Sequence, residues 1–521
     1  MRKLVLSFTV IVLAITGCAT NPVTGKRQLK LVSDAQLIAM GTQQYAPTRQ
    51  MQGGDYEIDP QLTAYVREVG NAVASATTQT TGVNLPYEFV VLNNSIPNAW
   101  AMPGGKIAIN RGLLTELNSE AELAAVLGHE VIHAAANHSA SAMSQQMLLQ
   151  GALIALQVSQ HDNKYGQYVV GGAQIGAQLI STKYGRDKEL ESDFYGMQSM
   201  ADAGYDPDAA VELQQTFVRL SEQSGRRDDW LSGLFSTHPP SVQRVATNRQ
   251  TAATLPDGGT YGRERYQAMT AGIRAAKPAY EAYDKGVKAL REGQVQQAEQ
   301  FARRALELEP RESKFYGLIG DVHLQSRDWQ TAIDYYNAAL EKNSNFFQTW
   351  LTRGMATLEL GNWQAAEDDL QQSIRLLPTA TAYHRLGMIA LNTGRSQEAV
   401  KYLEQAASSD SDVGRDAQAR LARLQIESEP ERFIGGQIGV NNSGYVIIQV
   451  VNKAPIAITN VELAIVAYDE AGNVAENRPV GIRETLGPNQ AMNINSGIGP
   501  VTDAAQLQRI RVVVRRAEAA D

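Results

Sequence analysis

A mostly α-helical chain of successive domains is predicted by three observations. Apolar residues recur at helical spacing over roughly residues 34–248, an internal repeat begins near residue 279, and strand-like alternation takes over after about Pro430. At 521 residues and 43% hydrophobic content the chain is too long for one core, and a prior of one domain per 100–200 residues suggests about three or four. The net charge is −8, and no block of consecutive Lys or Arg follows the first few residues. Nucleic acid is therefore not an expected partner, because nothing offers its phosphates an electrostatic footprint.

At the N-terminus, Arg2 and Lys3 precede the apolar run Leu4 to Leu13 and the junction Ile15-Thr16-Gly17-Cys18. This is the layout of a secretory signal over residues 1–17, too short to span a bilayer as a mature helix. Cys18 is the sole cysteine, so neither an internal disulfide nor a thiolate metal site can form. A Gly-Cys junction resembles a bacterial lipobox, which implies cleavage before Cys18 and a lipid anchor there; an ordinary cleaved signal is the alternative. A single acyl chain binds membranes weakly, so several would be needed for stable attachment. Ala19 stands where Asp would imply inner-membrane retention, and the resemblance implies the outer membrane.

Residues 19–250 read as an α-rich domain with a small sheet, from Tyr87 to Leu92 and Lys106 to Asn110 around Pro97 and Pro103-Gly104-Gly105. The second run could be an edge strand that pairs an extended substrate, or an ordinary sheet strand. Met147 to Gln157, interrupted by Gln150 and closing on the polar stretch Gln160 to Lys164, reads as a short buried helix and not a membrane span. Residues 251–278 read as a linker centred on Pro256-Asp257-Gly258-Gly259.

Over 279–430 three columns run in phase: glycines at 286, 320, 354 and 387, alanines at 298, 332, 366 and 399, and small residues Ala305, Ala339, Ser373 and Ala406. Each steps by 34, 34 and 33, the period of tetratricopeptide helix pairs, and four units form a short solenoid. Small side chains are required where paired helices cross closely. Pro310 and Pro378 end the second helices of units one and three, whereas Ser344 stands at that place in unit two. Residues 431–521, with runs Tyr445 to Val451, Val461 to Tyr468 and Ile510 to Val514, read as a small β-sandwich.

The chemistry concentrates on a helical segment carrying His129-Glu130-Val131-Ile132-His133. Residues four apart on a helix differ by about 40° of turn and about 6 Å of rise, so both imidazoles can meet one tetrahedral ion. Glu130, about 100° from His129, can face an attacking water without being a ligand. A third histidine at the metzincin position is excluded, because Ser139 and Ala136 occupy the places of the required His and Gly. His138 lies about 140° from His133 around the helix and reads as a surface side chain. The remaining donors are Glu189 and Asp193, which share one helix face with Glu191 turned away; one can ligate while the other supports. His161, His323 and His384 have no partners at ligand spacing and read as structural or surface residues.

The motif His129 to His133 followed by Glu189-x-x-x-Asp193 resembles the gluzincin zinc metallopeptidases related to CAAX prenyl protease 1 and HtpX. Asn98-Ala99-Trp100-Ala101 with Pro103-Gly104-Gly105, and Ser236-Thr237-His238-Pro239-Pro240 with Arg244, support it over about residues 21–250. The lipobox, Asn21-Pro22-Val23-Thr24-Gly25 and the repeats resemble the family's lipoprotein branch of repeat-containing periplasmic chaperone-proteases. The resemblance implies one Zn²⁺ per chain on His129, His133 and Glu189, with Glu130 as general base and Asp193 orienting a ligating imidazole. It implies that His238 either takes the fourth metal position or stabilises the oxyanion, and that Arg244 pairs with a nearby carboxylate. The implied function is a periplasmic lipoprotein endopeptidase acting on unfolded or misassembled envelope proteins. The alternative is a repeat-based chaperone or adaptor for the outer-membrane protein assembly machinery, with weak or gated proteolysis.

Overall fold

The computed structural model describes residues 18–145, 180, 184–224, 237–501 and 503–520. The expected signal segment, the apolar run Met147 to Gln157, and His161 lie outside these residues. Two compact units emerge, Met1–Pro378 and Thr379–Asp521. Among the described residues no helix is long and apolar enough to cross a membrane.

The first unit opens with an antiparallel hairpin, β1 (Cys18–Thr20) and β2 (Arg27–Leu29). Helix α1 (Asp34–Met51) starts at Ser33, whose side chain and that of Gln36 satisfy each other's backbone N–H in a capping box. Helix α2 (Pro60–Thr81) starts with Asp59 as cap and Pro60 in its first turn, and ends at Gly82 with φ +73°. Its stripe Leu62, Val66, Val69 and Val73 is buried in the core.

The three-stranded sheet has the order β3 (Glu88–Leu92), β5 (Lys106–Asn110), β4 (Ala99–Met102). Strand β5 pairs parallel with β3 and antiparallel with β4, so Lys106–Asn110 is the central strand and not the edge the sequence allowed. The turn at Pro103-Gly104-Gly105, with both glycines at φ +78°, folds β4 back onto one side of β5, while β3 takes the other side. The outer edge of β4 carries no further strand among the described residues.

Helix α3 (Glu120–Ala135), capped by Ser119, is buried along its whole length. It crosses α4 (Arg186–Asp202) where Gly128 faces Gly196: a Cβ on Gly128 would lie 3.0 Å from the Gly196 carbonyl oxygen, and one on Gly196 3.0 Å from the His129 amide nitrogen. Without side chains at that crossing the two backbones approach closely, which brings His129 against the carboxylates of α4. Helices α5 (Asp208–Ser224), α6 (Val242–Ala252) and α7 (Arg263–Ala275) complete the domain. Helix α7 overturns the linker reading of 251–278: Tyr266 is fully buried and donates its hydroxyl to Leu114 O at 2.7 Å. The Pro-Asp-Gly-Gly segment is a turn, but the apolar side of the residues after it, Tyr266, Met269 and Ile273, packs into the same core as α2 and α3.

Three helix pairs follow in the same unit: α8 (Lys277–Arg291) with α9 (Val295–Leu308), α10 (Ser313–Gln325) with α11 (Trp329–Lys342), and α12 (Phe347–Glu359) with α13 (Trp363–Leu376). The predicted small columns are fully buried at Ala298, Ala332, Ala366, Ala305, Ala339 and Ser373. The first repeats share polar contacts with the sheet end: Asn93 donates to Glu312 at 2.9 Å, Lys314 donates to Asn93 O at 2.7 Å, and the Arg111 guanidinium lies 3.2 Å from the centre of the Tyr280 ring.

The second unit holds the fourth helix pair, α14 (Ala380–Asn392) and α15 (Ser396–Ala407), then α16 (Asp412–Gln425). Two antiparallel sheets follow, of order β10 (Ala491–Asn495), β7 (Val446–Asn452), β6 (Ile434–Val440) and β11 (Ile510–Ala519), β8 (Ile458–Tyr468), β9 (Val474–Ile482). Ile448 and Val450 of one sheet and Leu463, Ile465 and Ile510 of the other share one core, the expected sandwich, and Ala422 and Ile426 at the end of α16 join it.

Candidate metal centre

The helical spacing of α3 places His129 and His133 side by side, their Nε2 atoms 3.0 Å apart. From α4, Glu189 brings Oε2 to 3.5 Å from His129 Nε2 and Oε1 to 3.5 Å from His133 Nε2. His238, just before α6, brings Nδ1 to 3.3 Å from His129 Nε2 and 3.1 Å from Glu189 Oε1. All four side chains are buried. Donors at the corners of a tetrahedron with bonds of about 2.0–2.1 Å lie roughly 3.3–3.4 Å apart, so these separations and this nitrogen and carboxylate set fit a tetrahedral ion such as Zn²⁺. Among the described residues no second cluster of this kind occurs; His323 pairs with Asp328 and His384 with Asp416.

The charges agree with a shared cation. Burial works against protonation of His129, but Asp193 and Glu189 push its pKa up to about 9. Burial, joined by His129 and His138, holds His133 well below the ordinary histidine range. Burial opposes the Glu189 carboxylate too, yet His238, His129 and His133 hold it far below the usual carboxylate range. Imidazole nitrogens this close cannot both carry a proton, and a metal ion that accepted their lone pairs would stand in place of the protons.

Around the donors, Asp193 Oδ1 accepts from His129 Nδ1 at 2.9 Å, which fixes the tautomer that leaves Nε2 free to ligate. Arg244 donates to both Asp193 oxygens at 2.7 Å and reaches Glu189 Oε2 at 3.0 Å. Against the cost of burial, Arg244 holds the Asp193 pKa down to about 2. Glu130 stands beside the cluster, with Oε1 3.6 Å from His238 Nε2 and Oε2 buried without a hydrogen-bond partner. Burial above all pushes its carboxyl upward, against His238 and His129. A cavity next to Glu130 is lined by Ala99 of β4 and by Leu113, Val126, Met197, Leu213 and Phe217.

His138 is a correction. It is buried, its Nδ1 lying 3.0 Å from His133 Nδ1 and its Nε2 3.0 Å from Glu191 Oε1. The helix ends near Ala136, and Asn137 takes φ +56°, so an angle counted along an unbroken helix misplaces His138. Tyr184, which sequence reasoning also missed, sets its ring 4.1 Å from that of His133, inclined by 32°, and shares a hydrogen bond with Ser139 at 2.8 Å. No motif spacing marks it; only the fold brings it there.

Comparison with known proteins agrees with this geometry. Residues 60–252 match peptidase family M48, and residues 283–345 and 380–413 match tetratricopeptide repeats. The chain is 28% identical over 213 residues to a beta-barrel assembly-enhancing protease of Yersinia pestis, covering 40% of this chain and 42% of that protein. It is 31% identical over 192 residues to the mitochondrial metalloendopeptidase OMA1 of Arabidopsis thaliana, covering 36% of each. With metalloprotease YcaL of Escherichia coli K12 it shares 30% identity over 170 residues, covering 32% of this chain and 63% of that one. The matched stretch spans about two fifths of the first two of these relatives. The chain therefore carries a peptidase family M48 domain, joined to tetratricopeptide repeats.

Proposed function

We propose that the chain is a zinc-dependent endopeptidase, with His129, His133 and Glu189 as protein ligands and Glu130 as general base. The observation that carries the reading is the tetrahedral spacing of the four buried donors, with the unpartnered Oε2 of Glu130 alongside. When bound, zinc supplies Lewis-acid polarisation of the scissile carbonyl and of a water. Glu130 accepts the proton of the attacking water and delivers a proton to the leaving amine. Asp193 keeps His129 in its ligating tautomer, and Arg244 fixes Asp193. The outer edge of β4, whose Ala99 borders the cavity, is the strand that an extended peptide would pair with.

The substrates in this reading are unfolded or misassembled periplasmic or outer-membrane proteins, in envelope quality control. Support comes from the tetratricopeptide repeats, a class of fold that commonly offers concave surfaces to protein partners, and from relatives named as beta-barrel assembly-enhancing proteases. The N-terminal Gly17-Cys18 junction supports a lipid anchor at Cys18 on the outer membrane, and mass spectrometry of the mature N-terminus tests it. A second reading, a chaperone or adaptor for outer-membrane protein assembly with gated proteolysis, is favoured by His238, whose Nδ1 sits where a fourth ligand would close the site. Metal analysis and casein cleavage test the first: the wild type should hold one zinc, and Glu130→Gln should keep the metal and lose cleavage. Absence of stoichiometric zinc, or full activity in Glu130→Gln, overturns it.

A further inference from the structure

The two histidines of α3 receive different support. His129 rests directly on a carboxylate, Asp193. His133 instead points its Nδ1 at His138 Nδ1, 3.0 Å away, and His138 Nε2 meets Glu191 Oε1 at 3.0 Å. The same Glu191 oxygen accepts from Asn21 Nδ2 at 2.8 Å. Asn21 lies in the turn between β1 and β2, where its side-chain carbonyl accepts from the backbone N–H of Val23 at 2.9 Å and of Thr24 at 3.1 Å. His138 and Asn21 are each 1% exposed, so solvent cannot substitute for either partner.

Proton accounting along this chain has one self-consistent solution. An imidazole that ligates through Nε2 carries its proton on Nδ1, and the His133 Nδ1–H then donates to His138 Nδ1. His138 must accept there, which puts its own proton on Nε2, where the Glu191 carboxylate receives it. Ser192 Oγ, 3.4 Å from His138 Nδ1, is the longer contact to that nitrogen. Reversing either histidine would set two N–H groups or two lone pairs against each other at 3.0 Å in a buried site.

We propose that His138 and Glu191 are positioning residues for His133, a carboxylate–histidine–histidine relay to the metal. Asn21 holds its outer end, tying the hairpin that begins at Cys18 to the metal centre. The proposal rests on the metal-centre reading and deepens it. It gives His138, at a position no ligand motif marks, the task that Asp193 performs for His129.

The test is the zinc dissociation constant of the full chain, measured by competition with a chromophoric chelator. His138→Phe fills the ring's space without an acceptor, and zinc binding should weaken by about 10–100-fold, the usual effect of losing such a partner. Glu191→Ala should do the same, while Glu191→Gln, whose carbonyl oxygen still accepts from His138, should recover most of the affinity. The visible spectrum of the cobalt-substituted protein should change in His138→Phe, reporting a reoriented His133. Asn21→Ala should weaken zinc in the same direction, and an unchanged constant there overturns the hairpin's part. Wild-type binding with equal constants in His138→Phe and Glu191→Ala overturns the relay and leaves the metal site standing; a wild type without zinc overturns both. Should His138→Phe not fold, Glu191→Ala against Glu191→Gln decides, and equal constants count against the relay.

Discussion

Arg244 grips Asp193 with two parallel hydrogen bonds, Nε to Oδ2 and Nη2 to Oδ1, both 2.7 Å long, and so clamps α6 to α4 behind His129 and Glu189. Both side chains are buried. Arg244→Met should therefore destabilise the first unit by about 3–5 kcal/mol, because the buried carboxylates of Asp193 and Glu189 lose the guanidinium that pairs with both. Arg244→Lys should recover only part, lacking the planar fork. Urea unfolding of the chelator-treated protein measures this, and a loss below about 1 kcal/mol would refute the clamp.

His238 Nδ1 lies 3.3 Å from His129 Nε2 and 3.1 Å from Glu189 Oε1, so in the gated reading it closes the site. His238→Ala should retain one zinc on the three remaining donors and raise basal casein cleavage by about tenfold, the change that relief of a ~1.4 kcal/mol closing bias gives. A fall in cleavage with zinc retained would instead assign His238 to the oxyanion.

Asp321 in the second repeat accepts a hydrogen bond from Tyr336 at 2.7 Å, yet burial outweighs that bond and pushes its pKa up to about 6. An unfolded Asp titrates near about 3.9, so between the two values the folded protein binds more protons. Stability from this group is full below about pH 4 and is lost as pH rises through about 6. Asp321→Asn keeps an acceptor for Tyr336 and removes the charge. Its melting temperature should exceed the wild type's at pH 7 and match it at pH 4, and parallel curves across that range would contradict the assignment.

Two glycines on α10 should respond oppositely. A Cβ on Gly320 would lie 2.5 Å from a ring carbon of Tyr336, so Gly320→Ala should cost about 1–3 kcal/mol through overpacking. A Cβ on Gly317 meets nothing within 4 Å, and Gly317→Ala should stabilise by up to about 1 kcal/mol through helix propensity. Thermal unfolding of the two variants checks both signs, and a neutral Gly320→Ala would contradict the tight crossing.

The sequence by itself determined what repeats at short range. The four-residue spacing of His129 and His133, the shared face of Glu189 and Asp193, and the buried small columns of the repeats follow from helical periodicity, which depends on neighbours within a turn or two. Three matters only the tertiary structure decided. Lys106–Asn110 became the central strand because alternation states that a strand forms, not which strands flank it. Residues 263–275 became a core helix because a loop signal marks a turn and says nothing of what packs after it. His138 was read as surface because an ideal helix was extended past Asn137, whereas its partner Glu191 comes from a segment 53 residues away, and Asn21, which donates to Glu191, from one 170 residues before that. Such contacts depend on how Gly128 and Gly196 let two helices meet, and that is a property of packing.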